Sequence, residues 1–301
     1  MEHAMASFSL QQISKHTYFI PSPTNMGLYI KDGRVILIDS GNDQEAGRQI
    51  LKLLKERDWS LDLIVNTHSN ADHIGGNAFL QQRTQCRIAA TLLEAAFIQR
   101  PLLEPSFLFG GYPIPAMRNK FLMAKPSTVT DIIPSSGRIL DTELAAVPLP
   151  GHYFEMIGIQ TPDDVLFLAD SVFSEKIIGK YHIVFLYDIQ GQMETLARLR
   201  TLRAAQYLPS HGSPSTDIIP LIQTNEQKIH EILTRIQDFC KRSVTIEELL
   251  AEICQAYHLE LDANQYVLLI STLKSHLSYL AEKQRVHAEF SDGKLLWTAA
   301  A

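Results

Sequence analysis

Cysteine is scarce in this chain of 301 residues, which contains only Cys86, Cys240 and Cys254. These three form no CxxC pair and are odd in number, which argues against a disulfide framework and fits a reducing compartment. The N-terminus shows no basic segment followed by an apolar core, and no apolar run reaches the length of a membrane helix. We therefore expect a cytoplasmic protein that does not enter a membrane.

Runs of basic residues are also missing, and the net charge is −6. From Asn225 onward, eleven acidic residues outnumber eight basic ones, so this region has little affinity to offer a phosphate backbone. Nucleic acid is therefore not an expected partner. A hydrophobic fraction of 46% and a charged fraction of 20% are typical of a globular protein. A small-molecule substrate is the expected partner.

The most informative stretch lies just after residues 61–65, an apolar run that predicts a buried strand. His68, Asp72 and His73 follow within a short loop that ends at two glycines. Loops at the ends of buried strands in α/β sheets commonly line functional sites. Imidazole and carboxylate groups this close together suit a divalent metal such as zinc.

This stretch resembles the HxHxDH signature of the metallo-β-lactamase-fold superfamily, with Asn70 in place of the second histidine. Further landmarks of that family occur in the expected order: a strand ending at Asp39, a loop with His152, a strand ending at Asp170 and a loop with His211. The resemblance covers residues 8–220. It implies an α/β protein with the αββα sandwich of that superfamily.

The resemblance also implies how the metal ligands are shared between two positions. The first position would use His68, residue 70 and His152, the second would use Asp72, His73 and His211, and Asp170 would bridge them. Asp39 would support the loop from outside the ligand set. A carboxylate at the end of a buried strand, such as Asp170, is costly unless it is paired or binds metal.

Asn70 departs from the family pattern, and an amide oxygen is a weaker ligand for zinc than imidazole. Three alternatives follow. The site holds two metals with Asn70 as a poor ligand or outside the ligand set, one metal at the second position, or one metal at the first. In the last case His68, His152 and Asp170 resemble the mononuclear iron site of persulfide dioxygenases. We expect one or two divalent ions, preferably zinc, with manganese or iron as alternatives.

Three further regions carry predictions. Residues 101–127 form a proline-rich, aromatic insert that either caps a cleft or packs on the core or a subunit interface. His182 and Tyr187 are candidate substrate contacts or, alternatively, structural residues. The segment after residue 223 shows helical periodicity, which predicts a helix over residues 225–239, and Thr245 with Glu248 predicts a capping box at the start of the next helix. A hairpin pattern follows, and the whole segment resembles the winged-helix appendage of some superfamily members. We predict two domains, residues 1–223 and 224–301, and a homodimer as one option.

The combined prediction is a metal-dependent hydrolase. A metal-bound hydroxide would attack an ester, thioester, amide or phosphoester, and Asp72 would be the catalytic residue that binds metal and orients the nucleophile. Two alternatives remain open. One is a mononuclear iron oxygenase that acts on a persulfide, and the other is a non-catalytic or nucleic-acid-binding protein with a decayed site.

Overall fold

A computed structural model describes residues 8–300, in which a seven-stranded sheet forms the first layer of strands. Its strands follow chain order: β1 (Gln11–Gln12), β2 (Thr17–Ile20), β3 (Met26–Lys31), β4 (Arg34–Ile38), β5 (Ser60–Val65), β6 (Arg87–Ala90) and β7 (Asp131–Ile132). The first four strands are antiparallel, and β4 to β7 are parallel.

Parallel strands need crossover connections, and helices supply most of them here. These helices are α1 (Gln44–Lys55), α2 (Ala71–Ile74), α3 (Asn77–Thr84), α4 (Leu92–Gln99) and α5 (Leu103–Phe109). The Asp43 side chain caps α1 by accepting hydrogen bonds from the backbone of Glu45 and Ala46. Ile50, Leu53 and Leu54 are buried at the apolar spacing from which the sequence predicts a helix in this segment.

The second sheet has five strands in the order β12-β11-β10-β9-β8. They are β8 (Gly137–Arg138), β9 (Ala145–Pro148), β10 (Ile157–Gln160), β11 (Val165–Ala169) and β12 (Gln206–Pro209). Strands β11 and β12 are parallel, and α6 (Glu175–Tyr181) and α7 (Ile189–Leu199) lie between them in the chain.

The two sheets pack face to face, and alternate residues of each strand point to opposite faces. Tyr29 of β3 and Phe167 of β11 lie in the core between the sheets. Leu28 lies on the outer face of the first sheet, in a core shared with Ile50 of α1, and Leu166 faces the opposite helical layer. This period of two is that of strands buried on both faces. The predicted αββα sandwich is confirmed.

The C-terminal region consists of three helices and a hairpin. They are α8 (Ile219–Phe239), α9 (Ile246–Tyr257), α10 (Ala263–Glu282), β13 (Val286–Ser291) and β14 (Lys294–Ala299). The predicted capping box of Thr245 and Glu248 is present at α9. Val244 also pairs with Trp297 of the hairpin. The likeness of this region to a winged helix stays a prediction.

Helix α8 begins earlier than the sequence pattern predicts, at Ile219 rather than Asn225. Pro220 fits the first helical turn, where its missing N–H costs nothing, and Ile222 is fully buried. The expected domain boundary at residues 223 and 224 therefore falls inside a helix. One hydrophobic core joins Leu196 of α7 to Ile232 of α8 across it. The division into two domains stays a prediction.

The insert at residues 101–127 packs on the C-terminal region. Leu108, Met117 and Leu122 share a small core with Val267 of α10. The Asn119 side chain donates a hydrogen bond of 2.8 Å to Asn264. The packing alternative therefore holds for the inner face of the insert. Across residues 8–300, no helix combines the length and the apolar character needed to cross a membrane.

Candidate metal centre

The predicted site residues come together at one edge of the sandwich. They leave the carboxyl ends of β4, β5, β11 and β12 and the loop after β9. Carboxyl ends of parallel strands meet at a common edge, which explains why distant segments converge there. The structure brings these side chains together: Asp39, His68, Asp72, His73, His152, Asp170 and His211.

Asp170 lies at the centre of the site. Its Oδ1 is 3.3 Å from Nε2 of His73, and its Oδ2 is 3.2 Å from Nε2 of His211 and 3.7 Å from Nε2 of His152. Burial alone would raise the pKa of Asp170, but His211 and His73 together hold it well below its usual range. Asp170 is therefore an ionised carboxylate that several imidazoles share.

Within residues 8–300, two groups of side chains bring metal-binding atoms within 4.8 Å of one another. One group is His68, His73 and Asp170, and the other is Asp72, His73 and His211. In that part of the chain, Nε2 of His68, Nε2 of His73 and Oδ1 of Asp170 are buried without a hydrogen-bond partner. Buried polar atoms without a partner are costly, so this nitrogen and oxygen donor set fits a divalent cation.

Asp39 fixes the orientation of two of the histidines. Its Oδ2 accepts hydrogen bonds from Nδ1 of His73, at 2.8 Å, and from Oγ1 of Thr67, at 2.7 Å. Because the hydroxyl donates its single proton to Asp39, it accepts from Nδ1 of His68, at 3.1 Å. Both imidazoles therefore turn Nε2 toward the cluster, as carboxylate–histidine pairs do in metal sites.

Backbone carbonyls fix the ring orientation of the other two histidines. Nδ1 of His211 is 2.7 Å from the carbonyl oxygen of Pro23, and Nδ1 of His152 is 2.9 Å from that of Phe185. A carbonyl accepts, so Nδ1 donates in each case. Burial lowers the pKa of His211, but Asp170 outweighs it and raises that pKa to about 9. A bound cation would replace the proton at Nε2 of His211.

The site is open on one side. The side chain of Asp72 is 41% exposed and that of His211 is 16% exposed, whereas those of His73, His152 and Asp170 are buried. Thr24 donates a hydrogen bond of 2.7 Å to Oδ2 of Asp72 and holds this half-exposed carboxylate in place. A ligand therefore reaches the cluster from the side of Asp72 and His211.

Asn70 lies between His152 and the insert. Its Oδ1 is 2.8 Å from Nε2 of His152, and its Nδ2 is 2.8 Å from Oε1 of Glu104 in α5. Glu104 is 4% exposed, and burial raises its pKa well above the ordinary value. Sequence reasoning missed Glu104. The sign of it in the sequence was that Glu104 is the single carboxylate of the insert and stands among apolar residues.

A second buried carboxylate that sequence reasoning missed anchors the loop after β5, which carries His68. Glu94 of α4 accepts hydrogen bonds from the backbone N–H of Ser69, at 2.9 Å, and from its hydroxyl, at 2.6 Å. It also accepts from the backbone N–H of Glu155, at 2.8 Å. Burial raises the pKa of Glu94 to about 7. Glu94 thus ties the loop of His68 to the loop that follows His152.

The two candidate substrate contacts lie in different surroundings. Tyr187 stacks on Phe154 with ring centroids 4.2 Å apart, and its backbone N–H donates to the carbonyl of Gly151. It is 37% exposed and borders the loop of His152. His182 instead lies near Tyr257 of α9, with ring centroids 5.3 Å apart, and belongs to neither group of metal-binding atoms. Substrate contact stays a prediction for both residues.

Solved structures share this fold. A beta-lactamase domain protein from Burkholderia ambifaria superposes with a TM-score of 0.74 at 17% identity, over 97% of this chain and 94% of that chain. A metallo-beta-lactamase family protein from Thermus thermophilus gives a TM-score of 0.72 at 19% identity, over 98% and 99% of the two chains. At this identity the likeness concerns the fold, and it includes the C-terminal region.

Sequence comparison gives closer relatives over a shorter span. The chain is 32% identical over 183 residues to a hydroxyacylglutathione hydrolase from Rhodopseudomonas palustris (strain BisB18), covering 59% of this chain and 58% of that protein. A protein of the same name from Nitrobacter hamburgensis is 31% identical over 151 residues, or 49% of its length. The chain thus spans only about half the length of these relatives. Residues 20–211 match the model of the metallo-beta-lactamase superfamily, and the chain belongs to that superfamily.

Proposed function

We propose that this protein is a metal-dependent hydrolase that cleaves a thioester of a small molecule. The observation that carries the proposal is the cluster of Asp72, His73 and His211 around the ionised Asp170, open to solvent on one side. The hydroxyacylglutathione hydrolases among its relatives support the choice of a thioester over an amide or phosphoester. Water would add to the acyl carbon and the carbon–sulfur bond would break, giving a carboxylic acid and a thiol.

The donor set fits a divalent ion, as the buried unpaired atoms of His68, His73 and Asp170 indicate. Zinc is the preferred ion because imidazole nitrogen and carboxylate oxygen are its usual ligands, and manganese and iron remain alternatives. An ion held there supplies Lewis acidity and lowers the pKa of a bound water molecule. One ion would be held by Asp72, His73 and His211 together with Asp170, and His68 would belong to the second position if two ions bind.

The protein's own residues would position the reactants. Asp72 has one oxygen bonded to Thr24, so its other oxygen is free to accept a hydrogen bond from the attacking water. This orients the water at the open side of the site, where the thioester enters. Asp39 would hold His73 in one ring orientation through the whole reaction. Burial of the remaining side chains excludes bulk water from the inner part of the site.

Thiol release from a hydroxyacylglutathione thioester tests the proposal directly. The full chain, loaded with Zn²⁺, should release thiol with a kcat/KM of at least about 10⁴ M⁻¹s⁻¹, the lower end for enzymes on their substrates. A β-lactam and a phosphodiester, assayed in parallel, should be cleaved far more slowly. Faster cleavage of either comparator would contradict the thioester assignment, and no cleavage of any of the three would contradict a hydrolase.

Two other predictions can be tested in the same preparation. An iron oxygenase would use His68, His152 and Asp170, retain iron on purification and consume oxygen with a persulfide. Nε2 of His152 is bonded to Asn70, which disfavours that trio as a ligand set. A decayed site would bind no metal, which the unpaired buried donors disfavour. Cytoplasmic location and a homodimer also stay proposals, to be tested by fractionation and by light scattering.

A further inference from the structure

We infer that Asn70 and Glu104 withhold His152 from the metal, so that the chain binds one ion, at the group of Asp72, His73 and His211. The inference rests on the proposed function only in that a divalent ion binds at this site. It assigns a positioning role to Glu104, a residue of the insert. It also decides between the one-ion and two-ion alternatives that the substitution at position 70 leaves open.

The first step is the hydrogen-bonding state of His152. Its Nδ1 donates to the carbonyl of Phe185, so the neutral ring carries no proton on Nε2. Nε2 is therefore an acceptor and needs a donor, whereas the atom of Asn70 that lies 2.8 Å away is Oδ1, which also accepts. The Asn70 amide meets this need when its NH₂ faces His152. The lone pair that could bind a metal is then occupied by a hydrogen bond.

The second step is the group on the other side of the amide. Nδ2 of Asn70 lies 2.8 Å from Oε1 of Glu104, and a half-turn of the amide, which brings the NH₂ group to His152, places the carbonyl oxygen against Glu104 in its place. A carboxylic acid can donate to that oxygen, and the burial of Glu104 favours the protonated form. The bonds then run in one direction, from Glu104 to Asn70, to His152, to the carbonyl of Phe185. Every member of this chain has a partner, which makes it a rigid arrangement.

The third step is the sharing of His73. Both groups of metal-binding atoms in residues 8–300 include His73, and its Nδ1 is already bonded to Asp39. Only Nε2 remains, and one lone pair binds one ion. The group with Asp72 and His211 has two ligands of its own besides His73, and both of these side chains reach solvent. The other group would have only His68 and the shared Asp170, since Asn70 occupies His152.

Metal equivalents per chain, measured by elemental analysis, test the inference. The full chain is loaded with excess Zn²⁺ and free ion is then removed. The wild type should keep one equivalent. Asn70→His should keep two, because an imidazole there supplies a nitrogen ligand and breaks the bridge between His152 and Glu104. Asn119→His is the matched control, since it adds a histidine to the insert beside Asn264, and it should keep one.

Two equivalents in the wild type, or one in a folded Asn70→His variant, would overturn the inference. His152→Ala provides a second test that adds no ligand. If His152 does not bind the ion, zinc affinity measured by chelator competition should change by less than about tenfold. Removing a residue that only supports a metal ligand usually lowers affinity by at least about that factor. A larger loss would show that His152 binds metal and would overturn the inference, even if Asn70→His did not fold.

The conservative variant Glu104→Gln tests whether a hydrogen-bond donor at this position is enough to hold Asn70 in place. Its amide can donate to the carbonyl oxygen of Asn70 as the protonated carboxyl does, so one equivalent should remain. Metal content and turnover are separate readouts. If the chain holds one ion but cleaves no thioester, the proposed function is wrong and this inference stands. If it holds two ions and cleaves the thioester, this inference is wrong and the proposed function stands.

Discussion

Two regions of this protein contain buried histidines whose Nε2 has no hydrogen-bond partner among residues 8–300. One is the metal centre, with His68 and His73, and the other is the core around α10, with His276. In both regions Nδ1 is bonded, to Asp39 for His73 and to the backbone carbonyl of Thr272 for His276. The surroundings differ. Asp72, Asp170 and Asp39 outweigh burial and raise the pKa of His73 well above its usual range, whereas burial lowers that of His276 to about 4.

The comparison shows that an unpaired ring nitrogen indicates a metal site only where other donors converge on it. Oδ1 of Asp170 lies 3.3 Å from His73, and a ligand atom of His211 lies within 4.8 Å of it, so a cation can satisfy several buried atoms at once. His276 belongs to neither group of metal-binding atoms found in the described residues, and it stays a neutral core residue. Perturbation of the metal centre should therefore affect activity and metal binding. Perturbation of α10 should affect stability alone.

The largest expected effect is the loss of activity in Asp72→Ala. In the proposed mechanism this change removes both a metal ligand and the group that orients water, so kcat/KM for the thioester should fall by at least about 10³-fold. Asp141→Ala is the control, because this aspartate is 80% exposed and pairs with Arg87, away from the metal centre. Initial rates of thiol release measure both. Activity within tenfold of the wild type in Asp72→Ala would remove Asp72 from the mechanism.

The pH dependence of stability should reveal His276. Its pKa is about 4 in the folded protein and about 6.5 when unfolded, so the unfolded chain binds the extra proton between these values. The free energy of unfolding should therefore fall by about 3 kcal/mol from this group as pH drops from 7 to 4. Urea denaturation of His276→Gln should show a shallower fall than the wild type. His230→Gln, an exposed histidine of α8, should match the wild type.

Metal removal should act on the metal centre and leave the α10 core unaffected. Zinc at one hundred times its dissociation constant should add about 2.7 kcal/mol to the free energy of unfolding, because it binds only the folded chain. Thermal unfolding with zinc and with a chelator measures this difference. His276→Gln should keep the difference, and Asp72→Ala should lose most of it. An equal stabilisation in both variants would place the binding site elsewhere.

The smallest effect expected is that of Asp39→Asn. An amide cannot accept from His73 and Thr67 as the carboxylate does, so zinc affinity should fall by about 10–100-fold. The matched control is Asp163→Asn. That carboxylate also accepts from a threonine hydroxyl, at Thr17, but lies at the opposite end of β11. Chelator competition measures both variants, and an equal loss in the control would mean that Asp39 has no specific role.

Much of the site was predictable because its residues follow strand ends. An apolar run that stops at Asp170, or at the loop of His68, marks a strand terminus, and such termini of parallel strands share one edge. Helix α1 was predictable from its apolar spacing, and α9 from its capping box. The start of α8 was not, because the packing of Ile222 extends that helix beyond the periodic segment.

The sandwich fold and the candidate ligands were predictable from the sequence because its motifs resemble those of the metallo-β-lactamase-fold superfamily, and each of these motifs is local: an apolar run that ends at a polar residue. What each candidate side chain faces depends on how the chain packs. Asn70 and Glu104 are 34 positions apart, and no local pattern relates them. The insert folds back over the loop that carries His68 and buries Glu104 against Asn70, so the residue that stands in place of the missing histidine is hydrogen-bonded to Glu104. Burial and proximity of distant segments are properties of the packed chain, which is why the sequence left this position open.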